Sequence, residues 1–141
     1  MKFPLRYTFV LFLIITVLHF VANSTSLYET RIVWFDNVLH TLAGVGFGLF
    51  WLWVLEKKSV HHSFTFSAIS LVAFVLGTAL VWELLEFLFF KLFTQYAYNL
   101  SLYSPSRGEA GMDIASNLVG AFILILIIKY TYGKRNTTVS L

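Results

Sequence analysis

Four long stretches of this chain carry no charged residue, and no other feature restricts its fold as strongly. They are residues 7–28, 37–55, 59–82 and 114–128. A helix needs about 20 apolar residues to cross the hydrocarbon core of a bilayer. The first three stretches meet that length, and the fourth meets it when extended to residues 112–132. Four such helices use roughly 80 residues, so only connections and tails remain of a chain of 141. The reading is all-α: a polytopic membrane protein with one domain over residues 1–141, a four-transmembrane-helix bundle. The spans fall at about 6–22, 36–56, 64–90 and 112–132.

Composition agrees with that reading. Charged residues make up 12% of the chain, about half the roughly 25% of an ordinary soluble domain. There is no cysteine, which excludes a disulfide scaffold, a zinc–thiolate site and a cysteine nucleophile. The bases do not cluster on a polar face, so nucleic acid is not an expected partner. Lys2 and Arg6 ahead of an apolar run resemble a signal peptide. The run is long for one, however, and Ala22-Asn23-Ser24 is a poor cleavage site, so a retained first helix is expected.

Orientation follows from the bases. With four spans, Lys2, Arg6, Lys57, Lys58, Lys129, Lys134 and Arg135 share one side, seven in all, against three on the other, Arg31, Lys91 and Arg107. Both termini are expected in the cytoplasm, in a plasma or inner membrane. The connection over residues 23–35 is rich in Leu, Tyr, Trp and Phe and is expected to lie in the interface. Residues 96–107 read as an outer loop. A helix over residues 64–93 would be about 45 Å long, so it must tilt, kink or project beyond the roughly 30 Å core.

Polar groups inside the spans gather toward one leaflet. Asp36 and His40 are four apart on the second helix, and Asp113 and Asn117 are four apart on the fourth, so each pair shares a helix face. Glu83 and Glu86, three apart, share a face of the third. With alternating directions all of them reach the outer end. Ionisable groups at membrane depth usually face the bundle interior or a cavity and mark function. Asp36 and Asp113 also sit where helix N-caps sit, His40 alone has a plain reading as an interhelical hydrogen bond, and His19 one as an ordinary residue near an interface. The small-xxx-small pair Gly44 and Gly48 marks close helix packing, with a homo-oligomer interface as a lesser option.

The same residues resemble a known family. Asp36-Asn37-Val38-Leu39-His40, Glu83-Leu84-Leu85-Glu86, Arg107 and Asp113-Ile114-Ala115-Ser116-Asn117-Leu118-Val119-Gly120 resemble the ordered motifs of the VanZ-like membrane proteins. The resemblance covers about residues 32–125. Asn37 stands where that family usually has Lys, and Glu86 where it usually has Gln. The Trp-Glu-x-x-Glu pattern is also similar to the YjdF-like small membrane proteins. The resemblance implies a bacterial-type multi-pass envelope protein.

Three functions suit these residues. The first is a site for a lipid or glycolipid headgroup, with membrane lipids as partners. There Asp36, His40, Glu83, Glu86 and Asp113 could ligate a divalent metal, and His40, Glu83 and Glu86 could act in acid–base catalysis. Arg107 and Asn117 would bind substrate. The second is a small ion or proton pathway. The third is a structural or accessory membrane protein.

Overall fold

The computed structural model describes residues 5–25, 27, 34–58, 63–100 and 107–137, with the side chains of residues 107 and 132–137 left aside. Five helices follow in order: α1 (Leu5–Ser24), α2 (Trp34–Lys57), α3 (Phe64–Leu92), α4 (Thr94–Asn99) and α5 (Arg107–Thr137). Four are long and apolar enough to cross a membrane: α1, α2, α3 and, over Gly108–Thr131, α5. The chain is a four-helix membrane bundle. Much of the connection from α1 to α2, expected in the interface, lies outside the described residues.

Helix α3 starts where its cap allows. The Ser63 hydroxyl accepts a hydrogen bond from the Phe66 N–H at 3.1 Å, which satisfies one of the donors left open at a helix N-terminus. At 29 residues the helix is about 44 Å long. It ends at Phe93, whose backbone leaves helical geometry at φ −137°, ψ 51°, and α4 follows at once. Residues 96–107 are thus not all loop. Tyr96 to Asn99 belong to α4, which Ala97, fully buried, anchors, with the Tyr98 ring edge-on to Phe90 at 5.4 Å.

The second and fifth helices form the axis of the bundle. Apolar side chains gain little by leaving lipid for one another, so membrane helices associate through close backbone packing and hydrogen bonds. Here the glycines supply the closeness. A Cβ on Gly44 would overlap the Asn117 carbonyl oxygen, and one on Gly120 would overlap the Thr41 carbonyl oxygen. The two backbones therefore touch at these reciprocal points. A Cβ on Gly48 would stand 2.7 Å from Leu124 Cδ2. The face bearing Gly44 and Gly48 meets α5 and α3 of the same chain.

Around this axis, α3 packs against both α2 and α5, while α1 packs against α2. One end of the bundle is apolar. Leu52, Leu71, Val75, Ala121, Leu124 and Ile128 form its buried cluster. There the Trp51 indole N–H donates to the Ser70 hydroxyl at 3.0 Å, and its ring stacks on Phe74 at 4.7 Å. The opposite end, where α2 and α5 begin and α3 finishes, is polar.

Candidate functional site

The polar end is assembled by α2, α3 and α5. Asp36 lies in the first turn of α2, where the helix dipole favours a negative group. One turn further, His40 faces α5. Asp113 is six residues beyond Arg107, the first residue of α5. The N-cap reading of Asp113 is therefore corrected: a group this far inside a helix has no free terminal N–H to cap. Gly108 and Gly111 disguise the earlier start, because glycine weakens a helix in sequence.

These residues converge. His40 Nε2 is 3.8 Å from Asp36 Oδ2 and 3.7 Å from Asp113 Oδ1. The Asn117 side-chain amide, 3% exposed as a residue, lies 3.1 Å from His40 Nδ1 and donates to the Asp113 carbonyl at 2.9 Å. The Asp113 side chain is buried and that of His40 is 12% exposed, whereas that of Asp36 is 44% exposed. The cluster thus opens past Asp36 and closes on Asp113 and Asn117.

Helix α3 directs its two acids to the same region. Leu71, Val75 and Ala79 form its buried stripe, and the next position at that spacing is Glu83. Glu83 Oε1 is buried and has no hydrogen-bond partner among the described residues. Glu86 Oε1 accepts from the Trp82 indole N–H at 2.8 Å. Glu83 interacts electrostatically with Asp36, and Glu86 with Glu83, Asp36 and Asp113. Among the described residues, neither acid makes a hydrogen bond or ion pair to the His40 group. No Lys or Arg there pairs with any of the four acids.

His19 Nε2 is 3.1 Å from the Leu100 carbonyl oxygen, and the Asn23 amide donates to the Asn99 carbonyl at 3.1 Å. These contacts tie the end of α1 to the end of α4. The Arg107 side chain lies outside the described residues.

Asp36, His40 and Asp113 each place one ligand atom within 4.8 Å of the others. Neighbouring ligands of a small divalent ion held at ~2.1 Å are about 3 Å apart, so modest side-chain movement would bring all three onto one ion. Asn117 could not be recognised as the link between His40 and α5 from spacing alone. Its partner is 77 residues away.

Fold and site together define a four-span helical membrane protein with an acid–imidazole–amide cluster at one end of its bundle. More particularly, the chain belongs to the family described as predicted membrane protein (DUF2238), which matches residues 1–135. No curated protein and no solved structure matches it. The family match makes this a membrane protein without singling out the VanZ-like or YjdF-like groups.

Proposed function

We propose that the polar end of the bundle is a binding site for the headgroup of a membrane lipid or glycolipid, in a cell-envelope protein of the kind the VanZ-like resemblance implies. The observation that carries this reading is the convergence of Asp36, His40 and Asp113 from two helices. Polar groups within a membrane domain are costly unless partnered, and they persist where function needs them. The opening past Asp36 admits a ligand held at the membrane surface, and the apolar outer faces of the helices leave room for its acyl chains.

A divalent cation is the inorganic candidate for the same place. Asp36, His40 and Asp113 would be its nearest ligands, with Glu83 and Glu86 in reserve, since oxygen and imidazole donors suit such ions. Proton exchange with a bound headgroup would fall to His40, Glu83 and Glu86, and Arg107 stands at the start of α5 for an anionic group. Lipids that co-purify with the wild-type protein are expected to be lost from Asp36→Ala, His40→Ala and Asp113→Ala variants that insert and fold normally. Unchanged lipid retention in all three would overturn the headgroup reading and leave the ion-pathway and the structural or accessory readings.

The reading also requires the polar end to face outward from the plasma membrane, with both termini in the cytoplasm. The chain has no cysteine, so single cysteines report cleanly. A membrane-impermeant maleimide is expected to label Asn99→Cys in intact cells, and Lys57→Cys only after lysis. The reverse pattern would overturn the orientation.

A further inference from the structure

The hydrogen bonds around Asn117 fix more than a contact. Its Nδ2 donates to the Asp113 carbonyl at 2.9 Å. The opposite amide orientation would set Oδ1 against that carbonyl oxygen, acceptor facing acceptor. The carbonyl therefore decides which way the amide lies. The second Nδ2 hydrogen then points to His40 Nδ1 at 3.1 Å, and Nδ1 must accept it. In a neutral imidazole with an accepting Nδ1, the proton sits on Nε2.

That Nε2–H points between two carboxyl groups at 3.8 and 3.7 Å, beyond hydrogen-bond distance of either. Two acceptors therefore stand around one donor, Asp36 and Asp113. A cation cannot accept from Nε2–H, so the divalent ion considered above would need the opposite tautomer of His40. An ammonium group cannot accept either. A phosphate can accept, yet it adds negative charge beside four carboxyl groups. A hydroxyl both accepts and donates, and several hydroxyls on one ring or chain can answer donor and acceptors together.

We infer that Asn117 holds His40 as its Nε2–H tautomer, and that the site thereby recognises the hydroxyls of a neutral sugar or polyol headgroup. The inference rests on the headgroup reading above and narrows it. Asn117 acts here as a positioning residue, working through the His40 ring.

The test uses the full-length protein purified in a polyoxyethylene detergent, which carries no sugar to compete. Histidine ¹⁵N spectra, with His40→Gln to assign the signal, are expected to show a protonated Nε2 and a bare Nδ1 in the wild type. Native mass spectrometry is expected to retain monoglucosyl-diacylglycerol at least about tenfold over phosphatidic acid, as two or three added hydrogen bonds would give. Free glucose that displaces the lipid equally well would support the hydroxyl chemistry and place its source in solution. Asn117→Asp is expected to reverse the ring, because a carboxylate at that position accepts from Nδ1–H. It should lose the glucosyl lipid and gain Zn²⁺ binding through Nε2, as carboxylate–histidine–metal arrangements do. The wild-type spectra keep the inference falsifiable should this variant fail to fold. A wild-type Nδ1–H tautomer with bound Zn²⁺, or a preference for phosphatidic acid, would overturn the inference and leave a ligand site in place. Binding of none of these probes would overturn both.

Discussion

Gly44→Ala is expected to destabilise the bundle by about 3 kcal/mol, at the upper end of ordinary overpacking costs. The added Cβ would overlap the Asn117 carbonyl oxygen, and a backbone atom cannot swing aside as a side-chain tip can. Accommodating it means prising α2 from α5. The same movement separates His40 from Asn117, so the His40···Asn117 link at 3.1 Å should fail together with stability. Gly120→Ala meets the Thr41 carbonyl oxygen and is expected to behave alike. Gly77→Ala is the control. Beyond its own helical turn, no atom lies within 4 Å of the Cβ it would add, and alanine favours a helix over glycine by roughly 0.5–1 kcal/mol. Thermal unfolding in detergent should therefore drop sharply for Gly44→Ala and Gly120→Ala and hold or rise for Gly77→Ala. Equal behaviour of all three would show that α2 and α5 do not touch where described.

Glu83→Leu is expected to act in the opposite sense on stability. Glu83 continues the buried stripe of Leu71, Val75 and Ala79, and its Oε1 is buried with no partner among the described residues. An unsatisfied buried polar atom costs about 1–3 kcal/mol, so removing it should stabilise the protein by a similar amount. Ligand retention should fall at the same time, because that oxygen is an acceptor the site offers. Gains in stability with losses in function are the usual mark of a residue kept for its site. A Glu83→Leu protein that is less stable than the wild type, or that retains lipid unchanged, would show that Glu83 is a structural partner instead.

Much of this was legible in the residues. The charge-free stretches set the four spans, because a bilayer of fixed thickness leaves few alternatives. The pairs Asp36 with His40 and Asp113 with Asn117 followed from four-residue spacing on a helix. What escaped notice depended on contacts between distant parts of the chain. Helix α4 is six residues long and too rich in Tyr, Gln and Asn to stand out from a loop; it is fixed by Ala97 and Tyr98 packing, a tertiary effect. Helix α5 begins at Arg107 despite Gly108 and Gly111, so Asp113 read as a cap when it lies inside. The role of Asn117 needed the positions of both the Asp113 carbonyl and the His40 ring. The glycine pattern announced close packing, yet only the structure names its partners, Asn117 for Gly44 and Thr41 for Gly120.

The central claim is that ligand headgroups reach the end of the bundle where Asp36, His40, Glu83, Asp113 and Asn117 lie. A glucosyl lipid carrying a photoreactive group on its sugar tests it most directly. After irradiation in bilayers, peptide mapping should place the adducts on residues 36–40, 83–86 and 113–117, and His40→Ala should abolish them. Adducts spread along the outer face of α1, or concentrated near Leu52, Leu71 and Ile128 at the apolar end, would contradict the account.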